Sequence, residues 1–274
     1  MIKKQNVVIS GSKDKSILYD LFMPNEEDKH PVVIFCHGYK GYKDWGAWNL
    51  VAEDFVNKGF SFLKFNFSHN GGTIENPIDF PDLEAFSKNN YSIELADLNL
   101  IIDEAVKMNK FSSIHLIGHS RGGGIATLGA KHNNVKSLTT WAAVSDFGSR
   151  FLKGEALEKW KENGVFYVKN GRTKQEMPHL YQFFEDFKEN EIALNIRKAV
   201  SELNKPICII HGSNDEAVLF DEAIDLKSWK EDAELFQIEN SNHTFGSKHP
   251  WEQDKLPKDL QEVVDITINF LKNE

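Results

Sequence analysis

The segment Gly118-His119-Ser120-Arg121-Gly122 constrains this chain more than any other, because a serine with glycines two positions to either side calls for one particular turn. The apolar run 114–117 precedes it and the small-residue stretch GGGIATLGA follows it. Together they predict a strand that turns sharply into a helix, with no space for side chains beside the serine. Such a turn lifts the hydroxyl above the sheet and sets it at the positive end of a helix. Without those flanks, the same five residues would describe only a tight glycine-rich turn closing a βα unit.

The rest of the chain supplies the sheet that this turn needs. Residues 7–10 and 17–23 read as an antiparallel hairpin at a sheet edge, joined by the turn signal Gly11-Ser12-Lys13-Asp14. Further strands are expected at 31–36, 60–67, 114–117, 138–144, 207–210 and 235–238. Helical spacing appears between them at 48–58, 93–108, 121–131 and 221–230, and again from Pro257 to the end. Strands alternating with helices indicate a mostly parallel eight-stranded α/β sheet covered on both faces. Residues 68–90, rich in Gly, Pro and Asn, form a long excursion of the kind that often carries function. Residues 147–204 are too many for a plain crossover and read as an inserted lid, with helices near 155–162 and 180–189, on a single domain spanning 1–274.

A serine hydroxyl becomes a nucleophile only beside a base, and the base needs an orienting carboxylate. On such a sheet both come from loops at the carboxyl ends of later strands. The run 207–210 leads into His211-Gly212-Ser213-Asn214-Asp215, and the run 235–238 into Glu239-Asn240-Ser241-Asn242-His243. Asp215 and His243 are therefore the expected acid and base. Glu216 and Asp221 lie further along, and Asp146 follows an earlier strand. Of ten histidines, only His243 follows the final strand directly; His37, His119, His211 and His249 read as structural. Two N–H donors must face the oxyanion of a tetrahedral intermediate. The expected pair is the Arg121 amide, next to the nucleophile, and the Tyr39 amide in His37-Gly38-Tyr39-Lys40-Gly41. No H-x₃-H or H-E-x-x-H spacing occurs, so neither a metal nor another cofactor is expected.

Composition sets the remaining bounds. The formal charge of −9 argues against non-specific binding to nucleic acid or an anionic membrane. No run approaches 18 uncharged apolar residues, so no membrane span is expected. Cys36 and Cys208 lie in apolar runs and read as buried free thiols, which suits a cytoplasmic setting.

The segments HGYKGYKDWG, FNFSHNG, GHSRGGG, HGSNDEAV and NSNHTFGSKHP, spread over nearly the whole chain, resemble the α/β-hydrolase superfamily in its dienelactone-hydrolase-like and cinnamoyl (feruloyl) esterase-like branch. Dienelactone hydrolases proper use a cysteine where this chain has Ser120. The resemblance therefore implies hydrolysis of carboxylic esters, aryl or short-acyl, through an acyl-enzyme. It further implies that residues 147–204 cover the site and help select the acyl group. Within that segment Glu155 and Tyr167 are expected to reach a polar group on the substrate. The aromatics around Tyr181-Gln182-Phe183-Phe184 either line the pocket or form the insertion's own core. The rival enzymatic reading is a serine peptidase resembling prolyl oligopeptidases, which share the fold and triad order. A non-catalytic receptor on the same scaffold is a third, although such proteins usually lose a triad member. The expected partner is a small-molecule ester, and the sequence leaves oligomeric state open.

Overall fold

The strands of the computed structural model, which describes residues 1–274, are β1 (Ile2–Ser10), β2 (Ser16–Met23), β3 (His30–Cys36), β4 (Ser61–Asn66), β5 (Phe111–His119), β6 (Val135–Trp141), β7 (Val165–Lys169), β8 (Glu176–Leu180), β9 (Ile207–Gly212) and β10 (Glu234–Ile238). Eight of them form one sheet in the order β1-β2-β4-β3-β5-β6-β9-β10. From β4 to β10 every neighbouring pair is parallel; β1 and β2 add an antiparallel edge.

Helices cover both faces, and the strand sequences show why. In β3, Val32, Ile34 and Cys36 join one apolar layer, while Val33 and Phe35 join the other. A strand with no polar face needs a cover on each side. One cover is α1 (Trp48–Asn57) with α9 (Lys258–Asn273). The opposite cover is α3 (Tyr91–Met108), α4 (Arg121–Gly129), α7 (Ile196–Glu202) and α8 (Phe220–Ser228). The N-terminus of α3 is capped by Asn90, whose side chain accepts from the Ile93 amide at 2.8 Å. A cap of this kind stabilises a helix by about 1 kcal/mol.

Two long intervals depart from the plain βα rhythm. Residues 68–90 contain one short helix, α2 (Leu83–Ser87), among turns. The interval 147–204 contains α5 (Glu155–Asn163), the antiparallel hairpin β7–β8 and α6 (Gln182–Glu189) before α7. The expected helices at 155–162 and 180–189 correspond to α5 and α6. The hairpin was not expected, because VFYVK and EMPHL are short and lack a clean polar alternation. Within this interval α7 puts Ile196, Ala199 and Val200 into the apolar layer that also holds Phe183 and Phe187 of α6. The strand expected at 138–144 runs instead over β6, since Ala142 takes a left-handed φ of 47° and ends the extended backbone.

The loop that leaves β3 toward the elbow is tied down from beneath by buried charge. Asp20 on β2 accepts from Lys43 at 2.9 Å and from Lys64 on β4 at 2.6 Å. Asp44 closes the square with both lysines, at 2.6 and 2.5 Å. Two cations and two anions cancel, which is the condition under which such charges stay buried. No helix is long and apolar enough to cross a membrane.

Candidate active site

Ser120 stands at the junction of β5 and α4 with φ 58° and ψ −124°, a backbone that an L-residue adopts only under constraint. The constraint is crowding. A Cβ on Gly118 would lie 2.3 Å from the Gly122 carbonyl oxygen, and one on Gly122 would lie 2.4 Å from the carbonyl oxygens of Cys36 and His37. The two glycines of the motif therefore let strand, turn and β3 approach closely. Their absence of side chains is what the elbow requires.

The β9 and β10 loops converge on the same rim. His243 Nδ1 lies 2.7 Å from Asp215 Oδ2. The other Asp215 oxygen accepts from the Ala217 and Val218 amides at 2.8 and 2.9 Å, and His211 Nε2 approaches Oδ2 at 3.3 Å. Burial alone would raise the Asp215 pKa, but hydrogen bonds from His211 and His243 outweigh it and hold the carboxyl well below its usual range. Asp215 is thus an ionised acceptor that fixes the imidazole by Nδ1. Nε2 is left as the nitrogen able to take a proton. Ser120 and His243 line the same two cavities, one of about 520 Å³ and one of about 190 Å³.

His119, read from sequence as packing, has a more particular contact. Its Nε2 donates to the His243 carbonyl at 2.8 Å, so the elbow itself grips the loop that carries the imidazole. Burial, followed by the nearby His243, pushes the His119 pKa down to about 3, which keeps the ring neutral. His37 braces the neighbouring loop. Its Nδ1 donates to the Gly38 carbonyl at 2.9 Å and its Nε2 accepts from the Phe67 amide at 3.5 Å. Burial lowers its pKa to about 4.

The Tyr39 amide takes part in no backbone hydrogen bond, and Arg121 opens α4, where the helix leaves its N–H unpaired. Tyr39 lines both cavities beside Ser120. Its hydroxyl meets His179 Nε2 on β8 at 2.7 Å.

The Arg121 side chain, unremarked in the sequence, occupies the larger cavity. Its guanidinium lies 4.4 Å from the Tyr39 ring centre, 5.2 Å from Tyr91 and 5.4 Å from Phe183, and it donates to buried Glu94 at 3.3 Å. Burial works against this charge, but Glu94 outweighs it and the Arg121 pKa is raised. No spacing rule links Glu94 to Arg121, so only the packing of α3 on α4 reveals the pair.

Glu155 and Tyr167 are not brought to the site. Glu155 is exposed on α5 and pairs with Lys159, and Tyr167 is 58% exposed. The pocket side of β7 is taken by its neighbours Phe166 and Val168. Side chains alternate along a strand, so Tyr167 falls on the other face. Of the aromatic run, Phe183 lines the cavity while Tyr181 and Phe184 pack around Trp160, so the run serves pocket and core together.

Residues 31–175 match the model of a family described as alpha/beta hydrolase fold. Among solved structures, Est1E from Butyrivibrio proteoclasticus, with ferulic acid bound, superposes with TM-score 0.74 at 19% identity, over 97% of this chain and 98% of that one. The esterase domain of a Rhodothermus marinus protein gives 0.65 at 15% identity, over 100% and 99%. A Bacteroides ovatus chain named for dipeptidyl aminopeptidase IV gives 0.66 at 15% identity, over 100% of this chain but 36% of that one. At these identities the likeness is one of fold. No curated protein matches the sequence.

Proposed function

Because this chain belongs to the alpha/beta hydrolase fold family, we propose that it is a serine hydrolase that cleaves carboxylic esters through an acyl-enzyme, with Ser120, His243 and Asp215 as its triad. The observation that carries this reading is the 2.7 Å contact of His243 Nδ1 with an ionised Asp215, at the wall of the two cavities that Ser120 also lines.

In this reaction His243 Nε2 takes the Ser120 proton as Oγ attacks the ester carbonyl carbon. The carbonyl oxygen becomes an oxyanion, held by the Tyr39 and Arg121 amides. Collapse expels the alcohol, which receives the proton from His243. Water then attacks the acyl-enzyme by the same route, returning Ser120 and releasing the acid. Asp215 keeps the imidazole in one tautomer and stabilises its cationic form.

The acyl group occupies the larger cavity, between Tyr91, Phe147, Phe166 and Phe183. Residues 147–204 act as the lid, with the β7–β8 hairpin forming part of the wall of the cavity that the serine lines. Flat aromatic or short acyl groups suit such walls. Cys36 and Cys208, buried as free thiols, fit a cytoplasmic protein.

Hydrolysis of p-nitrophenyl butyrate by the wild type and by Ser120→Ala tests the reading. Equal rates would remove Ser120 from the mechanism. Turnover of a prolyl peptide above that of any ester would move the assignment to a peptidase.

A further inference from the structure

Lys40 is an ammonium without a carboxylate. It follows Tyr39 in the loop after β3, is half-buried, and lines both cavities at Ser120. Its Nζ lies 5.0 Å from the Tyr39 ring centre and forms no ion pair, whereas the fully buried Lys43 and Lys64 each pair with two carboxylates. Burial, and then Arg121, lower its pKa, and no acid opposes them.

The larger cavity shares this imbalance. Three cations line it, Lys40, Arg121 and Arg150, with no Asp or Glu among its lining residues. The acids that pair with the two arginines, Glu94 and Glu222, stand outside the lining. His179, across the cavity, feels the same field: after burial, Arg121 and Lys40 are what depress its pKa. In a chain of net charge −9, a lining whose charged residues are all cations is the opposite of the general surface. A half-buried charge left unpaired costs stability, and an ionisable group perturbed in a cleft marks a candidate functional site.

We infer that the ester substrate carries a carboxylate, held by Lys40 at the junction of the two cavities with the Arg121 guanidinium beside it. This rests on the ester-hydrolase reading above and narrows it to anionic esters. The charge sits on the acyl chain if it lies in the larger cavity, or on the leaving alcohol if it lies in the smaller one.

Four esters in two pairs separate these outcomes: p-nitrophenyl butyrate with p-nitrophenyl hydrogen glutarate (the same acyl chain ending in a carboxylate), and phenyl butyrate with 3-carboxyphenyl butyrate. In the wild type at low salt, one of the two anionic esters is expected to exceed its neutral counterpart, p-nitrophenyl or phenyl butyrate, by about tenfold in kcat/KM. That ratio should fall toward one in Lys40→Gln, persist in Lys40→Arg, and shrink in about 0.5 M NaCl, where exposed charges are screened. Neutral esters turned over as fast as both anionic ones would overturn the inference and leave ester hydrolysis standing. A preference that survives Lys40→Gln would overturn the role of Lys40. Hydrolysis of none of the esters would overturn both readings.

Discussion

The Tyr39 hydroxyl lies 2.7 Å from His179 Nε2, fastening the loop after β3 to the β7–β8 hairpin across 140 residues of sequence. Both partners are neutral. Burial, then Arg121 and Lys40, push His179 down to about 3, so its ring carries no charge. Burial raises Tyr39 to about 12, so its hydroxyl keeps its proton. His179 is itself held, because its carbonyl accepts from Trp160 Nε1 at 2.9 Å. The hairpin therefore has a direct hold on the residue whose amide we assign to the oxyanion.

Loss of that hold should slow turnover. A hydrogen bond of this kind contributes about 0.5–1.5 kcal/mol, so His179→Ala and Tyr39→Phe should each lower kcat by roughly 2- to 12-fold. The double variant should be little worse than either single one. Fully additive losses would show that the bond does not couple hairpin to loop.

Ser120→Ala should lower ester turnover by roughly 10³- to 10⁶-fold, and Asp215→Asn by about 10⁴-fold through the wrong tautomer of His243. Both variants should fold, so circular dichroism should be unchanged. Labelling by a fluorophosphonate should vanish in Ser120→Ala. Persistent labelling would place the nucleophile elsewhere.

Gly38→Ala tests how tightly the elbow and the oxyanion loop are fitted. The new Cβ would stand 2.9 Å from the Ser120 Cβ, so one of the two must shift by a fraction of an ångström. A displacement of that order at reacting atoms costs on the order of 10- to 100-fold in kcat. Wild-type kcat in this variant would mean that the loop has slack.

Arg121→Met should destabilise the fold by about 3–5 kcal/mol, because it strands the buried Glu94 carboxylate. Burial already pushes the Glu94 pKa up and Arg121 opposes that push. Adding Glu94→Gln should therefore recover most of the loss in urea denaturation. No recovery would mean that Arg121 stabilises through its aromatic contacts alone.

Acid should weaken the fold before it reaches the carboxylate range. Burial lowers His119 and His179 to about 3 and His37 and His115 to about 4. Each is neutral when folded but binds a proton when unfolded once the pH drops below about 6.5. Their contribution is full above that value and is lost as pH falls toward the folded pKa values. Each proton adds about 1.4 kcal/mol per pH unit to the slope. Urea midpoints that are equal at pH 7 and pH 5 would contradict this.

Much of the framework was legible because it is local. The central sheet strands announce themselves as apolar runs, since a strand such as β3, covered on both faces, has no polar side to interrupt it. Ser120, Asp215 and His243 were readable for the same reason, each lying just past the end of such a run. The β7–β8 hairpin escaped notice because its strands are five residues long and packed on aromatic neighbours rather than on a sheet. Tyr167 was misplaced toward the pocket because the phase of a strand, set by which face meets the site, is not written in its composition.

The sequence by itself determined the succession of strands along the chain, the elbow at Ser120 and the loops in which Asp215 and His243 stand, because these follow from short-range periodicity and from where glycine must be. Only the tertiary structure decided what surrounds the serine: Arg121 against Glu94, His119 beneath the His243 carbonyl, His179 on Tyr39, and Lys40 with no counter-charge. Those are meetings between distant segments, and burial and electric field at a site depend on which segments meet there.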